Sequence, residues 1–335
     1  MVFTLADLES TRTQPGKSCL VFLTDRCPVG CAHCSVDSRR DSPRIDDQGL
    51  FREVIAGILS VPSFELIGVS GGEPFIERSA LSYLVQECST RGLRIVLYTS
   101  GVWAAKGKPS WIAEVLERAT AVVLSIDAFH TRAVNMEALH RVADMVMVAG
   151  CSLIVQTVDL PASSQPALRF VERVMRTAPD SNVELNLVPP LSIGRGRVAF
   201  ESLPPLPRRT LEEWGSCRLL AAPVIRYDGV VIACCNEAVL MGAGPDRLRR
   251  RCKTRAEVAE AVTALRSDPF LECMRTVGVS TIGQLPWVDV PADTSYGSIC
   301  EACWELNAQF DTAGERDRRI LRVLNALSGA MQPRL

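Results

Sequence analysis

Short apolar runs alternate with segments of helical periodicity along the first half of the chain. The runs are rich in β-branched residues and lie at 19–24, 65–70, 94–100, 121–127, 152–158 and 182–188. Helical spacing of apolar residues appears at about 46–60, 77–91, 110–118, 132–148 and 164–177. This alternation predicts βαβ units and a parallel sheet with helices packed on it. Asp46 is the expected N-cap of the first of these helices, and Gly92 and Gly150 suit helix C-termini.

The pattern changes near residue 189. Residues 189–208 are rich in Pro and Gly, and beyond them the periodic signals weaken while cysteines become denser. A second, smaller α+β domain is therefore expected. The predicted division is a lead-in over 1–17, an α/β domain over 18–195, a linker over 196–210, the second domain over 211–310 and a C-terminal helix over 311–335. That helix is expected to pack as a closing helix, and its apolar core face comprises Ile320, Leu321, Val323, Leu324 and Leu327.

Composition narrows the class of protein. The chain has 335 residues, 47% of them apolar, and 37 basic against 38 acidic residues give a net charge of −1. A balanced charge argues against a general nucleic-acid binder. No apolar run reaches the roughly 20 residues of a membrane span, and MVFTLADLES lacks the features of a signal peptide. With thirteen cysteines and no secretion signal, we expect metal binding in a reducing cytoplasm rather than disulfides.

Three cysteines lie close together after the first predicted strand. Cys27, Cys31 and Cys34 have C-x-x-x-C-x-x-C spacing within TDRCPVGCAHCSVDS. A short loop that bends back on itself can turn all three thiolates towards one centre. Thiolates are soft ligands that favour iron–sulfur clusters, zinc or Cu(I). Three ligands leave one metal position open, and an open position allows chemistry.

This spacing resembles the radical S-adenosylmethionine (SAM) family. The resemblance implies a [4Fe–4S] cluster on the three cysteines, with SAM bound to its fourth iron and cleaved to a 5′-deoxyadenosyl radical. It also implies a partial (β/α)6 TIM-like barrel, open on one side, with active residues at the strand C-termini. Six predicted strands are too few for a standard eight-stranded barrel, which agrees with this architecture. His33 occupies the place where the family puts a flat ring beside the adenine.

Further motifs extend the resemblance. Ser70-Gly71-Gly72-Glu73-Pro74 follows the second predicted strand and is similar to the family's GGEP motif, whose backbone holds the SAM amino group; Glu73 is expected to fix that loop. Small polar residues end the third and fourth strands. The expected cofactor contacts are Gly71, Gly72, Glu73, Thr99, Ser100, Ser125 and Asp127. For an arginine that binds the SAM carboxylate, Arg132 and Arg141 remain alternatives, and His130 is either structural or a substrate contact.

The second domain offers another four thiolates. Asp228-Gly229 predicts a hairpin that brings Cys217 towards Cys234, and Cys300 and Cys303 form a C-x-x-C pair. Four thiolates complete a [4Fe–4S] shell, and zinc is the alternative. The pattern resembles the SPASM and twitch domains of radical SAM enzymes. Because no cysteine follows Cys303, it implies one auxiliary [4Fe–4S] cluster, twitch-like, rather than two.

Two other cysteines are candidate hydrogen-atom donors. Cys235 adjoins Cys234, and neighbours in a strand point to opposite faces, so both are not expected to bind one cluster. Its alternatives are core packing or donation of a hydrogen atom to a substrate radical, as in radical epimerases. Cys252 competes for that role and lies in the basic segment RLRRRCKTR.

These features predict a radical SAM oxidoreductase that cross-links, oxidises or epimerises a ribosomally made peptide. A dehydrogenase or epimerase of a sugar or aminocyclitol is the alternative, and a non-enzymatic iron–sulfur or zinc protein is a remote one. The resemblance implies a reducing partner such as flavodoxin or ferredoxin. A separate peptide-recognition protein is a further expected partner, whereas nucleic acid and membranes are not.

Overall fold

The computed structural model of the protein describes residues 2–179, 181–310 and 314–331. The predicted alternation of strands and helices in the first half of the chain is confirmed. The strands are β1 (Ser18–Phe22), β2 (Leu66–Ser70), β3 (Arg94–Thr99), β4 (Ala121–Ser125), β5 (Ser152–Val158), β6 (Val183–Val188), β7 (Arg209–Thr210), β8 (Val224–Arg226), β9 (Val230–Ile232), β10 (Arg249–Arg251) and β11 (Ser295–Tyr296).

The helices differ in role as well as in length. The longer ones of the first half cover the sheet, and those of the second half pack beside its edge. The helices are α1 (Leu5–Thr13), α2 (Gln48–Leu59), α3 (Arg78–Thr90), α4 (Ser110–Leu116), α5 (Met136–Val148), α6 (Pro161–Thr177), α7 (Gly196–Ala199), α8 (Glu237–Leu240), α9 (Arg255–Arg266), α10 (Pro269–Thr276), α11 (Val279–Ile282), α12 (Ile299–Phe310) and α13 (Glu315–Met331).

One mixed sheet carries most of the strands, in the order β10-β9-β8-β1-β2-β3-β4-β5-β6. Strands β1 to β6 are parallel, as predicted. Among the described strands β6 and β10 are the two ends of this order, so the sheet does not close on itself. The α/β class with a partial barrel is therefore confirmed.

The predicted hairpin of the second segment extends this same sheet instead of forming a sheet of its own. Strand β8 pairs in parallel with β1, Leu20 lying opposite Val224, and β9 then folds back antiparallel to β8. An uncovered β1 would leave a row of backbone groups unpaired at the sheet edge, and β8 satisfies them. The two halves of the chain thus share one hydrogen-bonded framework.

The N-terminal residues, expected as a lead-in, form α1 on the inner face of the sheet, the face opposite the helices α2 to α6. Thr4 and Asp7 form a capping box that starts the helix. Phe3 and Leu8 are buried there against strand side chains such as Val96 and Val123. Helix α1 therefore fills part of the barrel interior.

A buried ion pair joins the first strand to the hairpin. The Arg226 guanidinium donates to both carboxylate oxygens of Asp25, at 3.0 and 2.8 Å, and the Tyr227 hydroxyl donates to Asp25 at 2.8 Å. The side chains of Arg226 and Asp25 are only 12% and 11% exposed. Burial alone would lower the pKa of Arg226, but its bonds to Asp25 and the nearby Asp228 raise the pKa above its usual value.

The helix C-termini lie where the glycines of the sequence predicted them, but one N-cap differs from the prediction. Gly92 and Gly150 come directly after the C-caps of α3 and α5 with φ of 70° and 73°, the left-handed region that glycine favours, which confirms their predicted place. The predicted N-cap of α2 was wrong by one residue. Asp47, and not Asp46, accepts the Leu50 N–H at 2.8 Å.

Helix α13 lies within the segment 311–335 that was predicted as a C-terminal helix; positions 311–313 and 332–335 lie outside the described residues. It packs on α10, with Leu321 fully buried and Leu324 partly buried. Asn325 donates to the Pro269 carbonyl at 3.0 Å. Val323 and Leu327 were expected on the packed face but are exposed, because α13 meets the protein along a narrower stripe than its apolar spacing suggested.

Candidate active site

The three-cysteine loop follows β1 and is held by backbone bonds at both ends. Cys27 is buried, and its N–H donates to the Arg39 carbonyl at 2.9 Å; Cys31 and Cys34 are half-buried. The backbone N–H groups of Val29 and Gly30 face the Cys27 sulfur. Donors of this kind stabilise a thiolate bound to a metal, so the loop suits a thiolate-ligated cluster.

The Gly71-Gly72 turn lies directly on the chain that leads into this loop. The Gly72 N–H donates to the Thr24 carbonyl at 2.7 Å. A Cβ added at Gly72 would stand 2.2 Å from the Arg26 carbonyl oxygen, and one at Gly71 would stand 2.7 Å from the Thr24 oxygen. Only glycine permits this approach, which sets the cysteine loop against the end of β2.

Glu73 is fully buried and acts as the acceptor at the centre of a small network. It accepts from the Phe75 N–H at 3.2 Å, the Thr99 hydroxyl at 2.8 Å and the Ser100 N–H at 2.9 Å, and the Ser100 hydroxyl also donates to it. Burial raises the pKa of Glu73, although these hydrogen bonds oppose the rise. The structure thus places Thr99 and Ser100 on Glu73, and the three side chains fix the turn after β2.

A polar and aromatic cluster lies beyond β4, which ends at the half-buried Ser125. Asp127 accepts from His130 Nδ1 at 2.8 Å and lies 3.3 Å from His33 Nε2. The His33 ring stacks on Phe129 at 4.5 Å between centroids, and Phe200 meets both rings edge-on. Asp127, predicted to contact SAM, thereby orients His33, which comes from the cysteine loop.

The ionisation of this cluster follows from the same contacts. Burial would raise the pKa of Asp127, but its bonds with His130 and His33 lower the pKa well below the usual range. Burial would also lower the pKa of His130, but Asp127 and the nearby Cys31 thiol raise it to about 10. The carboxylate therefore stays charged, which keeps it an acceptor for both rings.

Arg195 clamps the cysteine loop from the Pro- and Gly-rich stretch 189–208. Its Nε donates to the Cys31 carbonyl at 2.9 Å, and its terminal nitrogens bind the Asp37 carboxylate at 2.6 Å and the Ser38 carbonyl at 3.1 Å. Gly194 allows this contact, since a Cβ there would stand 2.6 Å from the Cys34 carbonyl oxygen. Neither residue was identified from the sequence, where only the GRGR letters after a Pro-rich stretch hinted at a special turn.

Replacing Arg195 by Ala is expected to loosen the cysteine loop. Hydrogen bonds to a charged group contribute roughly 1.5–3 kcal/mol each, and several are lost together. After anaerobic reconstitution, the variant should lose iron to a chelator faster than wild type. Arg195→Lys should not restore retention because a lysine lacks the planar fork. Arg197→Ala, an exposed neighbour, is the matched control, and equal iron loss in all these proteins would contradict the role of the clamp.

Neither candidate for the SAM carboxylate is singled out by its contacts. Arg141 donates to the carbonyl oxygens of Ala104 and Ala105, at 2.8 and 3.1 Å, and to Glu137 at 2.5 Å. It therefore ties α5 to the turn after β3. Arg132 lies in the short turn that follows His130.

The four cysteines of the second segment line one small cavity between the hairpin and α12. They are Cys217, Cys234, Cys300 and Cys303. Two amide groups point at their sulfurs: Asn236 Nδ2 lies 3.2 Å from the Cys300 sulfur, and Asn307 Nδ2 lies 3.2 Å from the Cys303 sulfur. Apolar side chains such as Leu219 and Trp304 complete the wall. Four cysteines around one cavity, with N–H donors at two of the sulfurs and an apolar wall, are a donor set that fits a metal centre.

The two remaining candidate cysteines lie in different layers. The Cys235 thiol donates to the Leu219 carbonyl at 3.8 Å, and the Arg12 guanidinium of α1 and Tyr98 of β3 are its electrostatic neighbours. Tyr98 packs on the inner face beside α1. Cys252 is buried under α9, 3.4 Å from the Glu257 carbonyl oxygen, in the layer that packs on α2. Cys235 therefore lies on the side of the sheet that carries α1, near Arg12 and Tyr98, and Cys252 belongs to the outer layer.

Comparisons with known proteins agree with this geometry. Residues 21–148 match the model of the Radical SAM superfamily. The putative peptide biosynthesis protein YydG of Bacillus subtilis (strain 168) is 20% identical over 308 residues, which cover 87% of this chain and 92% of that protein. The PqqA peptide cyclase of Methylobacterium nodulans is 36% identical over 90 residues, 27% of this chain and 23% of that protein.

A solved structure shares the fold. Streptococcus suis SuiB bound to S-adenosylmethionine superposes with a TM-score of 0.54 at 14% identity, covering 88% of this chain and 80% of SuiB. No helix within the described residues is long and apolar enough to cross a membrane. Residues 21–148, which match the family model, contain the three-cysteine loop, the Gly71-Gly72 turn and strands β2 to β4. Residues 21–148 therefore form a radical SAM domain.

Proposed function

We propose that this protein is a radical SAM enzyme that modifies a peptide and inverts the configuration of one of its residues. The observation that carries the inversion is the position of Cys235, next to Arg12 and Tyr98 on the inner face. The peptide substrate is supported by the relatives, of which one is named a peptide biosynthesis protein and another a peptide cyclase.

The residues after β1 and β2 form the cofactor site in this proposal. Cys27, Cys31 and Cys34 hold a [4Fe–4S] cluster, and the Gly71-Gly72 backbone with Ser125 positions SAM. When bound, this pair supplies a 5′-deoxyadenosyl radical that takes a hydrogen atom from an unactivated carbon. The fit rests on the N–H groups that face the Cys27 sulfur and on the glycines that allow close approach at the strand ends.

Cys235 returns the hydrogen atom in this scheme. The substrate carbon loses hydrogen on one face and gains it from the Cys235 S–H on the other, so a C–H bond breaks and a C–H bond forms. The sulfur is left one electron and one proton short. A low-potential flavodoxin or ferredoxin supplies the electron and water the proton, which restores the thiol. Arg12 and Tyr98 are the charged and polar neighbours of this thiol.

The second segment forms a twitch-like auxiliary centre in this proposal. Cys217, Cys234, Cys300 and Cys303 hold one [4Fe–4S] cluster, supported by their shared cavity and the two asparagine N–H groups. Cys234 is the neighbour of Cys235, so a cluster held by Cys234 would lie close to the Cys235 thiol. We place the protein in the cytoplasm, where such clusters are assembled, with a separate protein presenting the peptide.

The triple variant Cys27→Ala, Cys31→Ala and Cys34→Ala tests the two centres. It should produce no 5′-deoxyadenosine from SAM, and its iron content after anaerobic reconstitution should fall from about eight to about four per chain. The retained iron is the auxiliary cluster. A triple variant that still cleaves SAM would overturn the catalytic assignment, and one that holds no iron would overturn the auxiliary one.

A further inference from the structure

Three side-chain donor atoms converge beside the cysteine loop. One donor atom each from Cys31, His33 and His130 lies within 4.8 Å of the other two. His33 Nε2 and His130 Nδ1 both face Asp127, at 3.3 and 2.8 Å. The ring nitrogens that do not face Asp127 are His33 Nδ1 and His130 Nε2. His33 Nδ1 is buried and has no hydrogen-bond partner within the described residues.

The surroundings of the two histidines match those of metal ligands. A metal-bound histidine usually donates its other ring N–H to a carboxylate, which fixes its tautomer and orientation. Asp127 accepts from His130 in this way and lies 3.3 Å from His33 Nε2, and its other oxygen accepts from the backbone N–H groups of Phe129 and His130, at 2.8 and 2.9 Å. Stacking on Phe129 fixes the His33 ring as well. The donors are therefore held in place before any ion arrives.

We propose that the cluster-free protein binds one Zn²⁺ through Cys31 Sγ, His33 Nδ1 and His130 Nε2. Three sulfur and nitrogen ligands with a fourth position for water are a common zinc arrangement. One thiolate and the nearby Asp127 carboxylate balance the charge of the ion. If Cys31 is a ligand of the radical SAM cluster, as the proposed function holds, it cannot serve both centres. Zinc in this site then excludes the cluster, so the zinc supply regulates how much enzyme becomes active.

Cobalt titration of the iron-free protein tests the site. Co²⁺ replaces Zn²⁺ and gives a thiolate-to-cobalt charge-transfer band, so bound metal is read directly without any activity assay. His33→Ala and His130→Ala should each lose one equivalent of bound Co²⁺ and its share of the band. His140→Ala is the matched control, because the third histidine of the chain stacks on Phe170 elsewhere. Co²⁺ bound by the second-segment cysteines cancels in the difference from wild type.

Substitutions of the loop cysteines distinguish the proposed Cys–His–His site from a site formed by the three loop thiolates alone. Cys27→Ala and Cys34→Ala should retain the equivalent of Co²⁺ that Cys31→Ala loses. If all three cysteine variants lose it and the two histidine variants do not, the loop binds the ion by its thiolates alone and the proposal is wrong.

Competition between zinc and iron for Cys31 during reconstitution tests the zinc site separately from the proposed function. Wild type loaded with one Zn²⁺ should take up about four fewer irons during reconstitution than the zinc-free protein, whereas His130→Ala should be unaffected by zinc. Uptake that zinc does not change, with the histidine-dependent Co²⁺ site intact, would show that Cys31 holds no cluster and so overturn the exclusion and the cluster assignment, but not the ion site.

Discussion

Cys235→Ala is expected to abolish formation of the inverted peptide while SAM cleavage continues. The carbon radical would still form, but no thiol would stand on the opposite face to return hydrogen. The product is measured by chiral amino-acid analysis of the hydrolysed peptide, and 5′-deoxyadenosine by chromatography. In heavy water the thiol exchanges to S–D, so wild type should place one deuterium on the inverted carbon.

Cys252→Ala is the matched control for this result. Cys252 is buried under α9 in the outer layer, so its loss should leave inversion and deuterium incorporation at wild-type levels. An inverted product from Cys235→Ala at the wild-type rate would disprove the donor assignment. A product two hydrogens lighter, insensitive to either substitution, would identify an oxidation in place of the inversion.

Arg226→Met is expected to destabilise the protein by about 3–5 kcal/mol, because it leaves the buried Asp25 carboxylate without its charge partner. The two groups meet through two hydrogen bonds in a site that is almost closed to water. The free energy of unfolding is measured by denaturant titration of the iron-free protein, which avoids any contribution from metal binding.

An exposed ion pair provides the comparison. Arg255 binds Glu53 at 2.9 Å, but its side chain is 64% exposed, so solvent screens the pair and Arg255→Met should change the free energy of unfolding far less than Arg226→Met. Adding Asp25→Leu to Arg226→Met should recover part of the loss, since the stranded charge is removed. Equal effects of the two arginine substitutions would mean that the Asp25–Arg226 pair does not stabilise the link between β1 and the hairpin.

The sequence predicted the parts of the fold that depend on local pattern. Strands β1 to β6 follow from continuous apolar runs, and the hairpin follows from Asp228-Gly229. The pairing of Leu20 with Val224 joins positions 204 residues apart, and no local pattern encodes it. Helix α1 was missed because only Leu8 and Thr11 of its nine residues are buried, so it has no apolar stripe.

In the candidate site, too, the features set by local sequence could be predicted and those set by long-range contacts could not. Cysteine spacing identified the two thiolate groups, since ligand type and loop length are both readable from sequence. The contacts of Thr99 and Ser100 with Glu73 could not be predicted from the sequence, because a hydroxyl at a strand end gives the same pattern whether it binds a cofactor or a buried carboxylate. Arg195 and Phe200 lie more than 150 residues from the cysteine loop that they contact, so only the folded chain reveals them.

Strands β1 and β8 are neighbours in one sheet although they are far apart along the chain, so the sheet and not the connecting backbone sets the distance between the two cysteine groups. The first cysteine loop starts from β1 and the hairpin that precedes Cys234 starts from β8, and adjacent strands cannot shift without breaking their shared hydrogen bonds. Most of residues 201–208, by contrast, are exposed. Insertions there would lengthen the path along the backbone without changing the distance between the two cysteine groups. The length of this stretch can therefore change without altering the spacing of the two cysteine groups.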